Sequence, residues 1–265
     1  MNQSFFSRFL LPAFSLLHRE VVRFLRQRSR LVGALGTPLV FWLLLGSGFG
    51  RSFRPGEGSP VSGYLEYFFP GTLLMIVLFT SIFSNIGIIE ERREGFLLSV
   101  LVAPVSRASL VLGKVLGVTA LSIFQGGLFL IMAPLIGIRL GGFQLIALLG
   151  ILGLIGFTLT SLGFAFAWKL DSIQGFHALM NLMLIPMWLL SGAVFPAGGA
   201  SKWIRLIMLI NPMTYGLTAL REVLYSGATA PTAEVCAFST AMWVTSGFGC
   251  VMFLASVFLA SRRTL

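Results

Sequence analysis

The chain has 265 residues, of which 56% are hydrophobic and only 11% charged, with a mean hydropathy of +0.92. Soluble domains carry about 25% charged residues, so these charges cannot solvate the surface of a water-soluble globule. The composition excludes an ordinary soluble enzyme, a disordered chain and a coiled coil, and the formal net charge of +10 must be interpreted by where the charges lie.

In chain order, the first 30 residues hold six arginines, Arg8, Arg19, Arg23, Arg26, Arg28 and Arg30. The apolar run before them contains Pro12 and lacks a small-residue cleavage site, so it does not read as a secretory signal. At 100° per residue Phe14, Leu17, Val21, Phe24 and Leu25 share one face, and Arg19, Arg23, Arg26 and Arg30 the opposite one. The expectation for 1–30 is an amphipathic helix lying in the membrane interface; the alternative is a basic tail without fixed structure.

Six uncharged intervals follow, at 31–50, 67–89, 115–138, 143–168, 172–201 and 235–261. Each meets the roughly 20 residues that a helix needs to cross about 30 Å of hydrocarbon. The fold expected is therefore all-α: one domain, 31–265, of six transmembrane helices preceded by the interfacial helix. Tyr64, Tyr67, Phe68 and Phe69 open the second span as an aromatic cluster of the kind that marks an outer interface. Thirteen of the nineteen basic residues fall on the side shared by both termini and six on the other, which places the termini in the cytoplasm. The basic charge then reflects topology and contact with the lipid bilayer, and nucleic acid is not an expected partner.

Residues 197–225 are apolar but are broken by Asn211-Pro212, leaving an uncharged run too short to span. Two short helices that dip into the outer leaflet and return, bent at Asn211-Pro212, are expected there. Cys236 and Cys250 are 14 residues apart, about 21 Å along one helix, too far for a mutual disulfide; both are expected in the core.

The chain shows no metal-binding or catalytic spacing. His18 and His177 belong to no zinc motif, and Gly113-Lys114 lacks the upstream glycine and the following Ser or Thr of a phosphate-binding loop. His177 reads as a satisfied helix residue. The six intervals contain no Asp, Glu, Lys or Arg, whereas an ion-coupled carrier places such groups at midplane. An energy source outside the chain is expected, and the chain itself is not expected to be an enzyme or to hold a metal or cofactor. The rival reading is a self-sufficient ion-coupled carrier or channel.

Three stretches remain. After the second span come five charges, Glu90, Glu91, Arg92, Arg93 and Glu94, then Gly95, an apolar element that begins Phe96-Leu97-Leu98 and ends at Val102, then Pro104, and Gly113-Lys114 at the third span. A seven-residue element with six apolar residues and Ser99 on the cytoplasmic side is suited to a groove on another protein. The second stretch is LLSGAVFP at 189–196, with Ser191, Gly192 and Pro196, and the third is NPMTYGLTALRE at 211–222, with Asn211, Pro212, Tyr215 and Arg221. In order and spacing, these three stretches resemble the membrane subunits of type-2 ATP-binding-cassette exporters, the ABC-2 permeases, over essentially the whole chain.

The resemblance implies a pair of permease subunits, identical or different, in a bacterial-type inner membrane, each docking a separate ATPase that carries ATP and magnesium. It implies that Gly95, Phe96, Leu97, Leu98 and Pro104 form a coupling element, with charge contacts from Glu90 to Glu94, because Leu98 stands where many members have a polar residue. Ser191, Gly192, Pro196, Asn211, Pro212, Tyr215 and Arg221 would form the outer gate. The implied cargo is a hydrophobic small molecule or drug, a lipid or a lipid-linked glycan.

Overall fold

A computed structural model describes residues 9–50, 61, 63–95, 105–226 and 235–262. The expected coupling element at 96–104, with Phe96, Leu97, Leu98 and Pro104, lies outside the described residues. Among the described residues every regular element is helical. The helices are α1 (Leu11–Arg26), α2 (Arg28–Phe49), α3 (Tyr64–Arg93), α4 (Arg107–Leu130), α5 (Gly142–Lys169), α6 (Ile173–Trp188), α7 (Lys202–Ile210), α8 (Pro212–Leu224) and α9 (Phe238–Arg262). Six spans are long and apolar enough to cross a membrane: α2, α3, α4, α5 and α9, and α6 together with the wide turn that follows it, Ile173–Ala193. The chain is a multi-pass membrane protein.

The three central spans bury most of their apolar windows within the chain, 89% for α3, 67% for α4 and 61% for α5, whereas α2, α6 and α9 bury 22%, 22% and 17%. The bundle is thus a trio, α3–α4–α5, flanked by three spans whose outer faces are uncovered. Lipid is as apolar as leucine, so close packing and interhelical hydrogen bonds hold such helices together. Both are present here. A Cβ on Gly156 of α5 would lie 2.9 Å from the Ser122 side chain of α4, so only glycine admits this crossing. Thr80 of α3 donates to Gln125 of α4 at 2.6 Å, Ser81 of α3 meets Thr160 of α5 at 3.1 Å, and Ser256 of α9 donates to the Ser161 carbonyl at 2.7 Å. Gly46, at the end of α2, is filled by Leu65 of its own chain, whereas Gly48 has nothing within 4 Å.

The structure departs from the sequence expectations at four points. The first helix ends at Arg26, and the chain turns at Gln27 (φ −92°, ψ 80°) directly into α2, four residues before the expected boundary. The face that α1 turns to the bundle is Ala13, Leu16, Glu20 and Phe24, while Phe14 and Leu25 are exposed; the reason is Glu20, a carboxylate with a buried cation waiting on α4. Tyr64, Tyr67, Phe68 and Phe69 are buried within the chain and do not form an outward belt. Cys250 faces outward from α9 and Cys236 is half-buried, so neither is a core cysteine.

Candidate functional site

Two regions at opposite ends of α3 gather the residues singled out by sequence. At 1.5 Å per residue the 30-residue α3 is about 45 Å long, enough to carry both ends beyond the hydrocarbon.

At the charged end, α3 finishes with the run that precedes 96–104. Glu91 is fully buried. Its carboxylate accepts from Lys114 Nζ of α4 at 2.6 Å, and from Arg19 Nη1 and Arg23 Nη1 of α1 at 2.7 and 2.8 Å. Lys114 Nζ also donates to Glu20 of α1 at 2.6 Å, and Arg23 reaches Glu90 at 2.8 Å. Three carboxylates, Glu20, Glu90 and Glu91, thereby meet three cations, Lys114, Arg19 and Arg23. A buried charge is tolerated only when paired in this way. The Gly-Lys pair at the head of α4 has a structural use on both counts: a Cβ on Gly113 would lie 2.6 Å from the Ala13 carbonyl, so its absence lets α1 lie against α4 and deliver Glu20 to Lys114.

Arg92 and Arg93 go elsewhere within the chain. Arg92 donates to the Ala167, Trp168 and Leu170 carbonyls and to the Asp171 carboxylate, and Arg93 donates to the Asp171 carbonyl. The last carbonyls of α5 lack helical partners and carry the negative end of its dipole, which a guanidinium satisfies. Glu91, expected to contact an ATPase, therefore faces inward where no second protein reaches it. Arg93 and Glu94 remain exposed, and Gly95 takes the left-handed backbone at φ +76° as the chain leaves α3. Sequence reasoning missed Glu20, Arg19, Arg23, Lys114 and Asp171 as partners; the one signal available was Glu20, the sole acid among the six arginines of the first 30 residues.

At the aromatic end the backbone breaks its own ladder. After Trp188, α6 loosens into a wide turn, Leu189–Ala193, in which Leu190 and Gly192 leave helical geometry and Gly192 has φ +89°. Carbonyls released in an apolar setting need donors, and side chains of the turn itself and of other elements supply them. Asn211 Nδ2 donates to Met187 O at 2.5 Å, Ser191 Oγ to Trp188 O at 2.6 Å, and Tyr64 to Val194 O at 2.9 Å. Gly192 O receives both the Tyr67 hydroxyl at 2.8 Å and Arg221 Nη2 at 2.7 Å, with the guanidinium 4.5 Å above the Tyr67 ring. Pro70 leaves the Glu66 carbonyl without its helical donor, and the Tyr225 hydroxyl fills that place at 2.6 Å. Burial holds the Tyr225 hydroxyl in its protonated, donating form by raising its pKa.

The second and third motifs thus meet on the head of α3. Asn211 caps α8 through Met213 N, at the bend between α7 and α8, and Tyr215 donates back across it to Leu209 O. Pro196 precedes the short turn Ala197–Gly199, where its carbonyl accepts from Gly199 N. Arg221 is turned into the Gly192–Tyr67 group and away from its neighbour Glu222, since adjacent helix residues point about 100° apart. His177 stands edge-on to Phe83 of α3, ring centroids 6.1 Å apart.

The profile of the ABC-2 type transporter family matches residues 13–225, a stretch that contains α1 from its third residue on, the charged end and the whole aromatic end. The chain belongs to the ABC-2 type transporter family. Among its relatives, a protein named as a transport permease, ycf38, of Cyanophora paradoxa is 29% identical over 226 residues, covering 84% of this chain and 76% of that one. The daunorubicin resistance ABC transporter permease protein DrrB1 of Streptomyces coeruleorubidus is 21% identical, covering 80% of this chain and 74% of its own length. The inner membrane transport permease YhhJ of Escherichia coli is 28% identical over 159 residues, which span 59% of this chain but only 41% of that protein. As an ABC-2 chain, the protein is a transport permease subunit with transmembrane helices.

Proposed function

We propose that this ABC-2 permease is the membrane-spanning half of an ATP-driven exporter, paired with a second permease subunit and docked by a separate ATPase on residues 90–104. ATP and magnesium belong to that ATPase. The observation that carries the reading is the base of this segment: the helices on either side of it, α3 and α4, are the two most buried spans and are joined by the Glu91–Lys114 ion pair. A push on this segment is delivered to the centre of the bundle. The α1 helix, the end of α3, the start of α4 and the α5–α6 turn all gather at that end, which the excess of basic residues assigns to the cytoplasm. The Gly192–Arg221–Tyr67 group closes the opposite, outer end, with α7 and α8 as the re-entrant pair over it. Export of a hydrophobic small molecule is the cargo reading, supported by the relative named for daunorubicin resistance and by spans without midplane charge.

The test is recovery of the ATPase. The tagged permease, solubilised from its native cells, is expected to bring down a nucleotide-binding subunit in near-equal amount, and Leu97→Asp is expected to lose it while the chain still inserts. Full recovery of the ATPase with Leu97→Asp removes the docking assignment. Permease recovered alone, with ATP-independent transport by reconstituted vesicles, replaces the exporter with a carrier.

A further inference from the structure

We propose that a single water binds at the break between α1 and α2 and ties Gln27 to Ser84 of α3. Two polar atoms carry the proposal. Ser84 Oγ and Gln27 Oε1 are both buried, and neither has a hydrogen-bond partner among the described residues. Ser84 as a whole is 7% exposed. Both residues line the same cavity of about 10 Å³, together with Glu20, Arg23, Phe24 and Gly87. Buried polar groups are hydrogen-bonded in native proteins, to an ordered water where no protein group reaches them. A cavity of about 10–15 Å³ is the least that holds a water, so this one admits one water and nothing larger.

The sequence builds the cavity locally. Ser84 and Gly87 are three residues apart and share a face of α3, and their small size leaves a notch opposite α1. A Cβ on Gly87 would already lie 3.2 Å from Arg23 Nη1, so that position cannot close the notch with a larger side chain. On the other wall α1 ends at Arg26, and Gln27 leaves helical geometry. The Gln27 N–H is taken by Phe24 O at 3.0 Å, which leaves its side-chain oxygen to the cavity. The wall also selects a neutral guest. Glu20 opposes an anion and Arg23 opposes a cation, and both are already matched, by Lys114 and by Glu90 and Glu91. Gln27 Oε1 only accepts, whereas the Ser84 hydroxyl donates or accepts; water serves both at once. The site needs only the α1–α3 contact that Arg19 and Arg23 make and is independent of any ATPase.

The experiment is X-ray radiolysis of the whole permease in lipid nanodiscs, with side-chain hydroxylation read by mass spectrometry. Radicals formed from a bound water attack the ring beside it. Phe24 and Phe68 are almost equally buried, at 3% and 0% exposed, but only Phe24 lines the cavity. Phe24 is expected to be hydroxylated several-fold faster than Phe68. Ser84→Val, which removes the hydroxyl and fills the notch, should bring Phe24 down to the Phe68 rate. Gln27→Leu, which removes the other polar atom, should do the same and stands in if Ser84→Val does not fold. Phe24 no faster than Phe68 in the wild type overturns the site. A fast Phe24 in either folded variant assigns the labelling to bulk water and overturns it as well. A wild-type rate that changes when sodium is replaced by choline puts a cation in the place of the water.

Discussion

Gly192 carries a strict backbone requirement. Its φ of +89° lies in the left-handed region, where an L side chain costs about 1–2 kcal/mol, and a Cβ there would also meet Met208 at 3.1 Å. Its carbonyl is the acceptor shared by Tyr67 and Arg221, so strain at this residue would be transmitted to both donors. Gly192→Ala is expected to lower the melting temperature of the detergent-solubilised permease. Tyr67→Phe, which removes one hydrogen bond, should also lower it, through a stability loss of about 1 kcal/mol. Gly198→Ala, at an exposed glycine with nothing within 4 Å, serves as the control and should leave the melt unchanged. An equal melt for Gly192→Ala and Gly198→Ala would show that the turn after α6 is not held by this carbonyl.

Between elements, the α1–α4 crossing is the most demanding. The hydrophobic pattern of α1 orients Phe14 and Leu25 toward an apolar medium, while charge pairing orients Glu20 toward Lys114. The ion pair sets the rotation, because a stranded charge costs about 3–5 kcal/mol whereas an exposed Phe14 still meets lipid. Gly113→Val places a side chain against the Ala13 backbone and Leu16 and should force α1 off α4. The expected outcome is rapid proteolytic cleavage within 9–26 in reconstituted vesicles, with α4 protected. Protection of α1 equal to wild type would mean that the crossing can open by the width of a side chain without loss of contact.

At the scale of the whole molecule, three spans hold one another and three present broad apolar faces outward. In an ABC-2 permease that works as a pair, some of that surface meets a second subunit and the rest meets lipid. We propose that α2 and α6, the first and fifth spans, lie at the subunit contact. Cysteines at Leu44 of α2 and at Leu182 of α6, both strongly exposed, are expected to cross-link to a second permease subunit in native membranes. A cysteine at Leu254 of α9 should not. Cross-linking through Leu254→Cys alone would move the contact to the last span.

Much of this architecture is legible without coordinates. Runs of twenty uncharged residues announce six spans because the hydrocarbon thickness imposes a length. Asn211-Pro212 announces the bend between α7 and α8 because proline cannot continue a helix and asparagine caps the next one. The partners are a different matter. Glu91 and Lys114 are only 23 residues apart, but Glu20 and Lys114 are separated by 94 and Tyr67 and Gly192 by 125, and no periodicity relates them. In water, an apolar stripe shows which face of a helix turns inward; in a membrane both the protein interior and the lipid are apolar, so the stripe is silent. Sequence alone determined the membrane, the number of spans, the breaks and the family. Only the tertiary structure decided that the charge run turns inward onto α1 and that the aromatic cluster closes the broken end of α6, because buried charges and released carbonyls are satisfied by whichever distant helix the packing brings beside them.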